Sequence, residues 1–201
     1  LRFTSALGNV GTGPLEVRPN RLYSCPEGQR NSTQVVYRDA NANATYNWRR
    51  DKQFVRNRAG CMVYHPKHEH WHFKASASYT LLDPLVGDAV VTARRKVSFC
   101  LRDSARVPAW RGTWSGGGDY GSCTRTKPQG ISPGWMDIYQ SFLAGQSLLL
   151  PKGLPDGVYC LRTDVDPLNQ LLESNNDNNS SLREIGIIGN RVRARPMTIC
   201  S

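Results

Sequence analysis

The sequence lacks several features that mark common protein classes. None of its apolar runs approaches the roughly 18 residues of a membrane helix, so a helical membrane span is excluded. It has no CxxC pair, which excludes zinc ribbons and thioredoxin-like redox motifs. Charged residues make up only 21% of the 201 residues, which argues against intrinsic disorder. The length suits one domain, and we predict a single domain over residues 1–201.

The cysteines are even in number and widely spaced. There are six of them, at positions 25, 61, 100, 123, 160 and 200. This pattern favours three disulfides in an oxidising compartment, and hence a secreted or extracellular protein. The alternative is six buried free thiols in a cytosolic protein. Because the chain starts with Leu1, we also expect that an upstream segment has been removed.

The charge is strongly positive, with a formal net charge of +10. Such a charge raises the possibility of nucleic-acid binding. The basic residues are scattered, however, and no RNP, KH or zinc-finger pattern accompanies them. We therefore predict no nucleic-acid partner and favour a solvated surface attracted to anionic polymers at the cell surface.

Short β-branched and aromatic stretches alternate with dense turn signals, which include 18 Gly and 12 Pro. This pattern predicts an all-β fold, an antiparallel β-sandwich with long loops, little helix and disulfide staples. The predicted strands include Leu15–Val17, Gln34–Tyr37, Met62–His65, Ala75–Leu82, Val97–Leu101, Ile138–Leu143, Ser147–Leu150, Val158–Arg162, Ile185–Ile188 and Met197–Cys200. Residues 144–150 could form a helical turn instead.

Two long polar excursions lie between cysteines. Residues 25–61 are bracketed by Cys25 and Cys61 and predict a disulfide-closed hairpin insertion within the domain. Residues 102–122 lie between Cys100 and Cys123, which would staple a long loop. Long loops in compact domains are often functional.

All four histidines fall within eight residues, in His65-Pro-Lys-His68-Glu-His70-Trp-His72. In a strand, His68, His70 and His72 would share one face. Two such imidazoles can converge on one ion, and a third needs strand twist or long reach, with His70 in the middle. Three imidazoles suit copper(II), nickel or zinc. The alternative is a surface patch that binds metals without a function.

The histidine pattern also disfavours other metal enzymes. Hydrolases of the His-x-His-x-Asp type need an aspartate where His72 stands, and cupin sites need a distant histidine that this chain does not have. A redox partner for the metal could be Lys96 or Tyr139. Taken alone, Lys96 would be an exposed strand-end lysine, and Tyr139 would be a half-buried strand tyrosine.

Taken together, the motifs resemble the catalytic domain of the lysyl oxidase family over nearly the whole chain. The resemblance includes Leu1-Arg-Phe-Thr, Asn9-Val-Gly-Thr-Gly13, His65-x-x-His68-x-His70-x-His72, Tyr79-Thr-Leu-Leu-Asp83, Lys96-Val-Ser-Phe-Cys-Leu-Arg-Asp103, Gln129-Gly-Ile-Ser-Pro-Gly134, Asp137-Ile-Tyr139, Pro155-Asp-Gly-Val-Tyr159 and Glu173-Ser-x-x-x-Asn178-Asn179. Each motif is weak alone, but their shared order and spacing are specific.

The resemblance implies a copper- and quinone-dependent amine oxidase. His68, His70 and His72 would bind copper(II), while Lys96 and Tyr139 would fuse into lysine tyrosylquinone. The quinone would condense with a primary amine of peptidyl lysine or of another substrate. An aldehyde, ammonia and hydrogen peroxide would be released, and we nominate Asp137 as the catalytic base. In a strand, Asp137 would share a face with Tyr139; otherwise it is a structural hydrogen-bond acceptor. His65 could support the metal ligands from outside.

The sequence also departs from the family pattern. Arg95 replaces a histidine that matrix relatives carry before the crosslinking lysine. Only Cys100–Cys123 resembles a family disulfide, which leaves Cys25–Cys61 and Cys160–Cys200 by elimination. The insertion suggests a secreted bacterial homologue. The resemblance adds calcium as a further ion, held at Glu173, Asn178 and Asn179, although Asn175 replaces an acidic position.

Two other functions remain open from the sequence. The first is a non-catalytic extracellular β-sandwich that binds copper or zinc without a quinone. The second is an unmatured precursor with zinc at the histidines and with Tyr139 far from Lys96.

Overall fold

The computed structural model describes residues 1–20, 24–112 and 118–200, and the side chains of residues 95 and 96 lie outside that description. Within these ranges the regular secondary structure consists of one three-residue 3-10 turn, Pro84–Val86, and strands that are joined by loops. The strands are β1 (Ser5–Gly8), β2 (Leu15–Asn20), β3 (Gln29–Tyr37), β4 (Phe54–His65), β5 (His70–Asp83), β6 (Ala89–Phe99), β7 (Ala105–Arg106), β8 (Gln129–Ile131), β9 (Trp135–Tyr139), β10 (Gly157–Val165), β11 (Ser180–Ile188) and β12 (Arg191–Ala194).

The strands form two antiparallel sheets. The large sheet has the order β12-β11-β10-β5-β4-β3-β2-β8, and β6 also pairs with β5. The small sheet has the order β1-β9-β7. At Phe73 in β5, Met62 of β4 and Phe99 of β6 are both register partners, so β4 and β6 flank β5 at that residue. The long strand β5 is therefore the centre of the architecture.

The hydrophobic core lies between the two sheets. From the large sheet, Phe73, Tyr79 and Leu81 are among the largest fully buried side chains. From the small sheet, Leu7 is buried, because a strand with one face on the core buries alternate residues. Aromatic rings join the layers, with Phe3 edge-on to Tyr79 at a centroid distance of 4.7 Å. The predicted all-β antiparallel sandwich is confirmed. In the described ranges no helix has the length and hydropathy needed to cross a bilayer.

Three disulfides staple the sandwich, and all three predicted pairings are confirmed. Cys25–Cys61 joins the start of the β3–β4 hairpin to β4, and Cys160–Cys200 ties the C-terminal segment to β10. Cys100–Cys123 closes the long loop after β6. Each bridge thus fixes a segment that the strand pairing alone leaves loose.

Two predicted strands are not strands, and a third, Ile138–Leu143, has only its first two residues in a strand because β9 ends at Tyr139. Residues 147–150 make one isolated bridge, between Ser147 and Arg2, because they lie against the N-terminal segment rather than in a sheet. Residues 197–200 form no ladder because the buried carboxylate of Glu184 accepts the amides of Thr198 and Ile199, at 2.7 and 2.9 Å. The last strand is instead β12, whose four residues are all exposed at one edge of the large sheet.

Candidate functional site

The histidine cluster lies at the turn between β4 and β5. His65 ends β4, His70 begins β5, and the two face each other in the ladder. In the turn, the amides of His68 and Glu69 donate to the carbonyl oxygen of His65 at 3.1 and 2.9 Å. Glu69 has a positive φ of 56°, which the tight reversal requires. His68 therefore projects from a turn, whereas His70 and His72 project from a strand.

The three predicted metal ligands converge. The Nε2 atom of His72 lies 3.1 Å from Nε2 of His70 and 3.4 Å from Nδ1 of His68. Nitrogens bound at about 2.0–2.1 Å from one ion have similar mutual separations, since ligands at right angles or wider are about 3 Å apart. Both of these short contacts involve His72, so His72 lies between the other two rings, and the expectation that His70 would be in the middle is wrong. The turn lets His68 reach across to His72.

A backbone carbonyl sets the orientation of His72. Its Nδ1 atom lies 3.2 Å from the carbonyl oxygen of Ser98 in β6. A carbonyl oxygen only accepts, so Nδ1 carries the proton and Nε2 presents its lone pair to the cluster. Burial, and then the neighbouring His70, lower the pKa of His72 to about 4. Burial lowers the pKa of His70 as well, so both rings are neutral at neutral pH, as metal ligands must be.

The fourth histidine packs behind the other three. The ring of His65 stacks on His68 at 3.9 Å and on His72 at 4.9 Å between centroids. Its Nδ1 atom is buried without a hydrogen-bond partner. His65 therefore supports two ligand rings, and its orphaned nitrogen marks a polar position that a bound ion or water would satisfy.

Tyr139 and Asp137 form the second part of the site. Both project from β9 to the same side, as strand alternation predicts. The Tyr139 ring stacks on Phe99 of β6, with centroids 3.6 Å apart. Its hydroxyl donates to the carbonyl oxygen of Cys100 at 2.7 Å and to the carboxylate of Asp137. Burial, and then the adjacent carboxylate, raise the pKa of Tyr139 well above its ordinary value.

Asp137 is a buried carboxylate, with only 1% of its surface exposed. Besides Tyr139, it accepts the Arg102 amide at 3.2 Å and the Ser104 hydroxyl at 2.9 Å. Burial raises the pKa of Asp137 to about 6, although these hydrogen bonds oppose the rise. Such a carboxyl group changes charge near neutral pH, as a general acid or base should.

One stretch of chain links the two parts. The carbonyl of Ser98 orients His72, and the ring of Phe99 supports Tyr139. Cys100 lies near both parts, because its carbonyl accepts from Tyr139 and its sulfur lies within 4.8 Å of a His70 ring nitrogen. The sequence gives no signal for these partners, since the carbonyls of Ser98 and Cys100 and the amide of Arg102 are backbone groups.

Lys96 lies in the same strand, three residues before Phe99. Its side chain lies outside the described residues. The β5–β6 register shifts between Ala77 and Tyr79, where Val97 and Arg94 are the partners, so the backbone of residues 95 and 96 forms a bulge opposite Ser78. The pairing of Lys96 with Tyr139 stays a prediction.

Two hydrolase-like patterns occur in the chain, and neither forms a hydrolase site. Residues 68–72 fit H-E-x-x-H, which needs both histidines on one helix face, but here they lie in a turn and a strand. Residues 130–134 fit G-x-S-x-G, but Ser132 is fully buried and its hydroxyl donates to Asp103 at 2.8 Å. The Ser132 hydroxyl also accepts the Asp119 amide at 3.0 Å, so in the described structure Asp103 and Asp119, and not a histidine, are its hydrogen-bond partners.

The residues named for calcium lie in the loop before β11. The amide nitrogen of Asn179 donates to the Glu173 carboxylate at 3.1 Å, and the Asn179 carbonyl accepts from Val165 at 2.7 Å. Burial raises the pKa of Glu173. Glu173 and Asn179 satisfy each other, so this arrangement gives no independent support for calcium.

The comparisons with known proteins all find lysyl oxidases. A family described as lysyl oxidase matches residues 42–196. The chain is similar to protein-lysine 6-oxidases from Sus scrofa, Bos taurus and Rattus norvegicus, with 32% identity over 142 residues in each case. These alignments cover 68% of this chain but 51%, 30% and 31% of the three relatives. The chain thus spans about half the length, or less, of the curated relatives that it matches.

Proposed function

Because the chain belongs to the lysyl oxidase family, we propose that it is a copper- and quinone-dependent amine oxidase. Its substrates would be peptidyl lysine or other primary amines, and its products would be aldehydes, ammonia and hydrogen peroxide. One observation carries the proposal beyond family membership. A ring nitrogen of His70 lies within 4.8 Å of the Cys100 sulfur, and the Tyr139 hydroxyl donates to the Cys100 carbonyl, so the histidine group and a buried redox-capable ring are neighbours.

The described residues fit copper. His68, His70 and His72 offer three neutral imidazoles, a donor set that suits copper(II), and the Ser98 carbonyl fixes the lone pair of His72. Tyr139 fits the tyrosine half of lysine tyrosylquinone, with Lys96 as the proposed other half. When bound, copper and O₂ supply the oxidation of the ring and of the amine.

The chain's own residues orient the ring and handle protons. Phe99 stacks on Tyr139 and keeps its plane fixed, while the Cys100 carbonyl and Asp137 hold the phenolic proton. At pH 7 the Asp137 carboxyl, with a pKa of about 6, is mostly ionised. It can therefore accept a proton from the amine-bearing carbon of a substrate next to the ring.

The role of Asp137 predicts a pH dependence. Since the base must be ionised, the rate should rise with pH through about 6. Asp137→Asn should lower kcat by about 10²- to 10⁴-fold and remove this acid limb. In Ser104→Ala, the lost hydrogen bond should raise the pKa of Asp137 and move the limb to higher pH. The measurement is kcat against pH, and an Asp137→Asn enzyme with the original profile would contradict the assignment.

The alternative function is a non-catalytic β-sandwich that binds copper or zinc. Loading the protein with copper in air separates the two functions. We expect a visible quinone band, a crosslinked peptide joining residues around 96 and 139 in the mass spectrum, and peroxide from a primary amine. If copper binds but none of these signals develops, the binding module is correct. A chain isolated with zinc and an intact Tyr139 would be the unmatured precursor, and it should develop the band after exchange to copper.

The compartment and the partners of the proposed enzyme follow from its disulfides and its net charge. We propose a secreted bacterial protein, because three disulfides need an oxidising compartment, which also supplies O₂. The charge of +10 favours anionic cell-surface polymers as partners. Residues 1–201 would act as one catalytic domain with residues 25–61 as an insertion, and calcium at Glu173, Asn178 and Asn179 rests on the family resemblance alone.

A further inference from the structure

His70 belongs to two groups of potential metal ligands. One is the histidine group already described. In the other, a ring nitrogen of His70 and the sulfurs of Cys100 and Cys123 all lie within 4.8 Å of one another. Among the described residues, the cysteines of the other two disulfides belong to no such group. The disulfide beside the copper ligands therefore differs from the two that only staple the fold.

Two thiolates and an imidazole form a recognised donor set. Thiolates bind zinc and copper(I) strongly, and Cys/His combinations are common in zinc sites. A disulfide sulfur is not such a ligand, because the thiolate is the form that binds metal. The donors would become available only while Cys100 and Cys123 are thiols. Their Cα atoms are 6.2 Å apart, and both sulfurs lie within 4.8 Å of one ring nitrogen of His70.

We propose that the chain with Cys100 and Cys123 as thiols holds a zinc or copper(I) ion between these sulfurs and His70, and that disulfide closure returns His70 to His68 and His72. The inference goes beyond the oxidase function, since it concerns the chain before the disulfide forms and needs no amine oxidation. The site would let a nascent chain take up a soft metal ion before the copper(II) site is complete.

The two sites would exclude each other. A neutral imidazole has one nitrogen lone pair, so His70 binds one ion at a time unless the ring loses a second proton. In the disulfide form, Nε2 of His70 lies 3.1 Å from Nε2 of His72, in the histidine group. Cys100 is buried and His70 and Cys123 are half-buried, so the thiolate site would be partly shielded from water.

The chemistry balances without a change in the charge of the metal. Each thiol releases one proton when it binds the ion. Closure of the disulfide forms one S–S bond and removes two electrons, which, together with two protons from solvent, reduce a disulfide-containing oxidant to its dithiol. The ion then loses both sulfur ligands, and His70 alone is too weak to keep it.

Cobalt(II) tests the proposal because thiolate coordination gives it an intense charge-transfer band. The protein is reduced with a phosphine in the absence of O₂, and near-ultraviolet circular dichroism checks that the fold persists. We expect the band in the reduced wild type and its loss in Cys100→Ser and Cys123→Ser. His70→Ala should weaken cobalt binding at least about tenfold, because one of three ligands is lost. His68→Ala should keep the charge-transfer band, because His68 does not belong to the group that contains the two sulfurs.

The matched control is Cys25→Ser with Cys61→Ser, which removes two thiols that have no histidine neighbour in the described structure. The band should survive there. If it persists without Cys100, or if His68→Ala weakens it as much as His70→Ala, the proposal is wrong. If the reduced chain unfolds, His68→Ala and His70→Ala should have the same effect on the band. That result would also overturn the proposal. The band reports coordination, so its result stands whether or not amines are oxidised.

Discussion

Replacing His72 with alanine is expected to weaken copper binding by about a hundredfold or more. Loss of a group that only orients a ligand costs about 10- to 100-fold, and loss of the central ligand should cost at least as much. His72 is central because its Nε2 lies nearest to the nitrogens of both His68 and His70. It is also the ligand whose tautomer is fixed by the carbonyl of Ser98, so its neighbours cannot replace it.

The measurement is copper(II) affinity by competition with a chelator, supported by the electron paramagnetic resonance spectrum. The matched control is His65→Phe, which keeps a flat ring against His68 and His72 but removes both nitrogens. We expect it to lose less than about tenfold in affinity, because a supporting ring is changed but no ligand is removed. Equal losses in the two variants would show that His72 is not a principal ligand.

Replacing Tyr139 with phenylalanine is expected to abolish amine oxidation, with a fall of at least about a thousandfold, while copper affinity changes by only a fewfold. The phenolic oxygen would become part of the quinone, so no quinone can form without it. The phenyl ring should keep its stacking on Phe99. Asp137 keeps the donors Ser104 and Arg102, so we expect a stability loss of only about 1 kcal/mol from the missing hydrogen bond.

Tyr79→Phe is the matched control for this experiment. Tyr79 is another buried tyrosine in the same core, and its hydroxyl bonds to Ser5 at 2.7 Å and to Gln146 at 2.8 Å. The control should lose comparable stability in thermal unfolding, yet it should develop the quinone band and release peroxide from an amine. If Tyr139→Phe still forms peroxide at the control rate, the quinone lies elsewhere or does not exist.

The sequence predicted which histidines meet, but not how they meet. Three histidines at alternate positions imply a strand with a central His70. In the structure, hydrogen bonds to the His65 carbonyl form a turn that ends only at His70. A turn and a strand are both compatible with His-Glu-His, because spacing alone does not fix where a hairpin reverses. The choice depended on β4 pairing with β5, which is a tertiary contact.

The second part of the site followed from a simpler rule. Strand alternation places Asp137 and Tyr139 on one side, and they are indeed hydrogen-bonded. The roles of Ser98 and Cys100 could not be predicted, since both act through carbonyl groups that every residue carries. Ser104 acts through its side chain, but its sequence separation of 33 from Asp137 hides the contact.

The fold was predictable where hydrophobic alternation and covalent chemistry dominate. The even, widely spaced cysteines predicted three disulfides, and the family resemblance implied Cys100–Cys123 and left the other two pairings by elimination, although six cysteines allow 15 pairing schemes in principle. The failure at residues 197–200 arose from Glu184, whose buried carboxylate accepts amides that a ladder would otherwise pair. A buried carboxylate that accepts backbone amides in place of a neighbouring strand leaves no periodic pattern in the sequence.

The exposed edge strand β12 affects how copies of the protein behave towards one another. A free edge offers unpaired amides and carbonyls, which recruit strands from other molecules and start aggregation. Here the edge is only four residues long and carries Arg191 and Arg193, so two copies meeting along it would bring like charges together. The opposite edge, β8, is three residues long and buried. Both ends of the strand order of the large sheet are thus protected against pairing with a second copy.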